Sequence, residues 1–89
     1  MKLVVLKGNT ETWNAKVGEA IGEARRAGGL DAPTAAHRLN RVTGRTIYSA
    51  VWIEAWEAGR EMPSAAVFLA AVIAFAGNQA AQILAGIAG

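Results

Sequence analysis

No charged side chain follows Glu61, and this constrains the fold of the 89-residue chain more than any other feature. The stretch SAAVFLAAVIAFAGNQAAQILAGIAG has to cover its apolar surface with its own chain, a second chain or a bilayer. As a membrane span it would place Gly77, Asn78, Gln79 and Gln82 near the bilayer centre, and each half alone is too short to cross. Two soluble helices fit better. Ser64 caps the first, whose inward residues are Val67, Phe68, Ala71, Val72 and Phe75, and Asn78 caps the second, which carries Ile83, Leu84 and Ile87 on one side.

Upstream, the same periodicity predicts three more helices. From Thr12 or Asn14 to Ala27, apolar Trp13, Val17, Ala20, Ile21 and Ala24 recur at helical spacing, and Gly28-Gly29 closes the run. Gly18 and Gly22 lie four apart on one face, which predicts close approach by another segment, with the N-terminal arm one candidate. Asp31 caps a second helix with Pro33 in its first turn and Ala35, Ala36 and Leu39 inward, ending near Arg41 or Val42. Gly44 breaks the chain, and Ser49 caps a third helix that Gly59 closes before Pro63. Lys2 to Lys7, with Leu3, Val4, Val5 and Leu6, reads as a short strand before the Gly8-Asn9 turn signal. Such a strand would pair with its copy in a second subunit, or the segment would lie over the helices as an arm. The expected fold is all-α. Residues 1–11 form a β-strand or arm, 12–77 a four-helix domain, and 78–89 a fifth, apolar helix suited to dimerisation.

With 53% hydrophobic residues, the chain has more apolar surface than one small core consumes, which again favours a second chain. Cysteine is absent, which excludes disulfides, thiolate zinc sites and thiol catalysis and agrees with a reducing compartment. The apolar run after Met1 is too short for a signal peptide, so a cytoplasmic location is expected. No nucleophile and base, phosphate-cradling glycine loop or carboxylate pair is recognisable, and His37 stands without other metal ligands. Neither enzyme activity nor a cofactor, metal or small-molecule substrate is expected. A net charge of +2 does not argue for nucleic acid, but its distribution is uneven. Between Asp31 and Glu54 there is no acid, whereas His37, Arg38, Arg41 and Arg45 all fall in that window. Such a run is either a solvated face or a set of phosphate contacts.

The residues Ser49-Ala50-Val51-Trp52-Ile53-Glu54-Ala55-Trp56-Glu57-Ala58-Gly59 follow, in order, the pattern of a DNA-recognition helix. Ile21, Arg25, Leu30 and Ala35-Ala36 fill the matching upstream positions. From Val17 to Gly77 the chain thus resembles the phage repressor, Cro and Xre-type helix-turn-helix family, the lambda-repressor-like DNA-binding domains. The resemblance implies a five-helix domain and a structural ion pair between Arg25 and Glu57. It also implies base contacts from Ala50, Val51 and Ala55, with Ser49 and Trp52 beside them. Phosphate contacts would come from Arg38, Arg41, Arg45, Thr46 and Arg60. Two departures from the family stand out. The connection between the second and third helices is longer, with Ile47 or Tyr48 available to plug the core. The reading residues carry no hydrogen-bonding side chain and can touch only thymine methyl groups. Trp56 occupies a core position, while Trp52 suits core or interface equally.

The function so implied is that of a homodimeric, sequence-specific regulator bound to double-stranded DNA, either a phage immunity repressor or a Cro-like protein. Ile83, Leu84 and Ile87 would form the dimer contact, or Leu3 and Val5 would do so through the strand. Recognition helices would then be roughly 34 Å apart, one turn of DNA. The alternatives are a protein-interaction module on the same scaffold, antirepressor or antitoxin-like, and a small membrane-associated phage protein.

Overall fold

A computed structural model describes the backbone of residues 2–88 and the side chains of residues 13–87. All of its regular structure is helical: α1 (Lys2–Ala27), α2 (Ala32–Thr43), α3 (Ala50–Glu57), α4 (Ala65–Ala76), a 3-10 turn (Gly77–Gln79) and α5 (Ala80–Ala88).

The core follows from helical spacing. Val17, Ala20, Ile21 and Ala24 form one stripe of α1, and against it pack Ala35, Ala36 and Leu39 of α2, Ile53 and Trp56 of α3, and Phe68, Ala71, Val72 and Phe75 of α4. Alanines on the inward faces of α1 and α2 let each of these helices pack closely on α3 and α4, which supply the volume of the core.

The ends of α2 show how local chemistry sets an element. Asp31 accepts a hydrogen bond from the Thr34 N–H at 2.9 Å, satisfying a donor that the first turn leaves free. At the other end Gly44 adopts the left-handed conformation, φ 71°, and the Gly44 and Arg45 N–H groups both donate to the Asn40 carbonyl. Ser64 caps α4 in the same way, its hydroxyl accepting from the Val67 N–H.

Four expectations are corrected. First, the backbone of Lys2–Lys7 belongs to α1 and is not a strand. No strand lies among the described residues, so a strand here would leave its N–H and C=O groups unpaired, whereas a helix satisfies them within the segment. Residues 2–11 are therefore continuous with the first helix. Second, the segment close to Gly18 is the end of α3, not the N-terminal arm: a Cβ at Gly18 would lie 2.6 Å from the Trp56 carbonyl oxygen. Third, Asn78 is not the cap of the last helix. Gly77, at φ 57°, ends α4, Asn78 lies within the 3-10 turn, and α5 starts at Ala80.

The fourth correction concerns the dimer contact. Ile83 is 7% exposed and packs into the core, and Leu84 and Ile87 rest half-buried against it. Ile83 is thus unavailable to a second chain, while Leu84 and Ile87 keep part of their surface exposed. The side chains of Leu3 and Val5 lie outside the described residues. The 23-residue stretch from Ala65 is long and apolar enough to cross a membrane by length and composition, and 39% of its most apolar window is buried inside the protein.

Candidate nucleic-acid interface

The position of α3 is fixed from below. Arg25, on α1, sends Nε to Glu57 Oε2 at 2.6 Å and Nη2 to Glu57 Oε1 at 3.0 Å, and its Nη1 donates to the Leu30 carbonyl at 3.0 Å. This planar fork matches both carboxylate oxygens at once and ties three segments together: α1, the turn before α2, and the last turn of α3. Hydrogen bonding to Glu57 raises the Arg25 pKa further above its already high ordinary value. Both side chains are about four-fifths buried, so water screens the pair less than a surface ion pair. Gly18 and Gly22 admit this approach, since a Cβ at Gly22 would lie 3.3 Å from Glu57 Oε1.

From above, α3 is fixed by the connection Gly44–Ser49. The Asn40 side chain accepts from the Tyr48 N–H at 3.0 Å and donates to the Tyr48 carbonyl at 2.9 Å. One amide thus replaces the strand neighbour that an extended residue would otherwise need. Tyr48 is held inward, and Ile47 is left exposed, so Tyr48 is the residue that plugs the core. Its ring meets Trp52 edge-on at 5.4 Å and lies 5.7 Å from Trp56, while the two indoles sit 6.1 Å apart. Asn40 is a positioning residue whose role sequence reasoning missed. Its only signal is the Asn-x-x-Thr-Gly spacing that ends α2.

The outer face of α2 and the connection carries the positive charge. Arg41 lines two adjoining shallow hollows, one with Arg38 and Val42, the other with His37, Asn40, Gly44, Arg45 and Thr46. Arg38, Arg41 and Arg45 therefore form one continuous exposed stripe. Arg38 leans to the α4 end, where Nη1 reaches the Ala74 carbonyl at 3.5 Å, and Arg45 and Thr46 lead into α3.

At the start of α3, Ser49 takes the capping position but its hydroxyl makes no cap hydrogen bond. Val51 is 70% exposed and Trp52 43%, while Ala50 is half-buried. Ala55 departs from expectation. It is 9% exposed, sunk between Val51, Trp52, Trp56 and Arg60 in a third hollow, so it presents no reading surface. Arg60 stands at the far end of α3, about 12 Å from Ser49 for a helix of this length, next to Glu61. On the inner side Ile53 and Trp56 are fully packed against the rest of the chain.

Among the described residues no three histidine, aspartate or glutamate side chains gather into a metal-binding group. No family model matches the chain, and no curated protein or solved structure matches it either.

Proposed function

We propose that this protein is a transcriptional regulator that binds double-stranded DNA, of the phage repressor or Cro-like kind. The first turn of α3 lies in the major groove while arginines of α2 and the connection follow the phosphates. One observation carries the reading: Arg38, Arg41 and Arg45 form an exposed stripe leading into a helix whose outer side is free and whose inner side is anchored. Arginine along a backbone supplies affinity that does not depend on sequence, and a major groove admits an α-helix. Thr46 and Ser49 add hydroxyl donors near the phosphates, and Arg60 contacts the backbone beyond the far end of α3. The regulator acts as a homodimer. With Ile83 buried, Leu69 and Ile73 of α4 are exposed apolar residues of the described chain, away from the arginine stripe, that suit that contact. Neither carries a charge that a two-fold axis would set against its copy.

Fluorescently labelled duplexes of random sequence, titrated at rising salt, test the reading. Three to four phosphate contacts in each subunit, six to eight in the dimer, give a slope of log K against log salt of about −5 to −7. Absence of binding at the lowest salt, or binding indifferent to salt, rejects it. A second reading, a protein-interaction module, is favoured by the exposure of Val42, Ile47, Val51 and Trp52 on the same side of the molecule. It requires that no duplex be retained at low salt.

A further inference from the structure

We infer that the tip of α3 reads the C5-methyl groups of pyrimidines, so that thymine or 5-methylcytosine at the contacted steps, and not a hydrogen-bonding pattern, selects the bound sequence. The inference rests on the DNA-binding reading above and specifies what that site recognises.

The reasoning begins with what the tip can offer. Its most exposed side chain is Val51, next to the half-exposed face of Trp52, with Ile47 exposed in the preceding connection. None of these three carries a group that matches the donors and acceptors on a base edge, apart from the single indole N–H. In the major groove the one apolar feature that differs between base pairs is the methyl at pyrimidine C5. A buried Ala55 removes the next turn from contact, which confines reading to this tip.

The tip is also rigid. Trp52 is wedged edge-on against Tyr48, and Tyr48 is held through both backbone groups by Asn40. An apolar probe whose rotamer is already fixed loses little entropy on contact, which favours discrimination by shape. Two polar side chains remain there: Ser49 at the cap, whose hydroxyl can bond any base edge and so does not discriminate, and Glu54, exposed and three residues after Val51. A carboxylate accepts only from the cytosine amine and is repelled by phosphate, so it adds nothing to the reading of thymine.

The experiment uses duplexes enriched from a random pool by repeated retention on the full chain. The best of them is resynthesised with deoxyuridine in place of thymidine, a change that removes only the methyl groups. Affinity is expected to fall about fourfold per contacted methyl, the transfer free energy of one buried methyl group. Restoring the methyl as 5-bromouracil, which is similar in size, should recover most of the loss. The Val51→Ala variant, at a position exposed enough to leave folding intact by circular dichroism, should show a smaller deoxyuridine penalty with an unchanged salt slope. If thymidine and deoxyuridine duplexes bind equally, with salt dependence intact, methyl reading is overturned and DNA binding stands. If no duplex is retained even at low salt, both fall, and a dimer in sedimentation that Val51→Lys dissolves would assign the tip to protein contact.

Discussion

Where α3 meets α1, a methyl group added at Gly18 would come within 2.6 Å of the Trp56 carbonyl oxygen, whereas elsewhere on the same helix Val51 is 70% exposed. The packed side is specified by backbone approach, by a two-pronged ion pair and by complete burial of Ile53 and Trp56. The outer side is specified by charge and exposure alone. A helix built this way can vary its outer residues with little effect on folding, and the two sides should therefore respond differently to substitution.

The largest effects are expected on the packed side. An added Cβ at Gly28 would overlap the Phe75 carbonyl oxygen of α4, and backbone cannot yield as a flexible side chain would. Gly28→Ala and Gly18→Ala should each destabilise by about 1 to 3 kcal/mol, as overpacking does. This loss comes despite the roughly 1 kcal/mol that alanine gains over glycine inside a helix at position 18. Thermal melts followed by circular dichroism should show midpoints lower by roughly 4 to 8 °C per kcal/mol. Midpoints equal to or above that of the parent protein would remove the contrast between the two sides. Next comes Arg25→Lys, which keeps the charge and loses the fork to Glu57 and Leu30. Hydrogen bonds to charged groups contribute about 1.5 to 3 kcal/mol, so urea denaturation should show a loss near the lower end of that range. A loss below about 0.5 kcal/mol would reduce the pair to an ordinary surface contact.

The sequence reveals the packed side better than the outer one, for a physical reason. Helical spacing of Val17, Ile21 and Ala24, the Asp31 cap and Gly44 are local signals, and local signals survive into the structure. What the sequence hides depends on partners distant in the chain. The apolar run Leu3-Val4-Val5-Leu6, β-branched at its centre, has strand propensity, but a strand needs a neighbour and the described residues offer none. The apolar side of α5 reads the same whether it faces its own chain or another, and only the fold reveals that Ile83 is consumed inside. Ala55 fills a base-contact position by resemblance, yet it is 9% exposed, at the floor of a hollow lined by Val51, Trp52, Trp56 and Arg60. Asn40 carries no chemistry in one dimension, and its clamp on Tyr48 exists only once α2 has ended and the chain has turned.

That clamp stands between the two sides, and its loss should have an intermediate effect. Asn40→Ala removes two hydrogen bonds to Tyr48, each contributing about 0.5 to 1.5 kcal/mol. The expected consequence is faster hydrogen exchange at the Tyr48 amide with protection kept at Ile53, because Ile53 is held by α3 and the core. Equal loss of protection at both would mean that the connection and α3 open as one unit. On the outer side, Arg41→Ala should leave stability, read from thermal melts, within about 0.5 kcal/mol of the parent. The salt slope for duplex binding should become shallower by about two, one for each subunit of the dimer. Loss of stability at Arg41 would show that the stripe is structural and would sharpen the case for a solvated face without a partner.

The smallest effect is expected at Asp31, and it is visible only against pH. Hydrogen bonding from the Thr34 side chain, and next from its backbone N–H, holds the Asp31 carboxyl below the ordinary aspartate range. A folded-state pKa depressed in this way means that the ionised cap stabilises the protein above the unfolded pKa of about 3.9. The contribution then disappears as pH falls through the lower folded value. Asparagine at this position still caps but cannot ionise, so parent and Asp31→Asn proteins should differ in melting midpoint near pH 6 and converge near pH 2.5. Because Asp31 is exposed, salt should shrink the pH 6 difference as well. A difference that persists unchanged at pH 2.5 would assign the effect to cap geometry and not to charge, leaving the first turn of α2 with no titrating support beneath the arginine stripe.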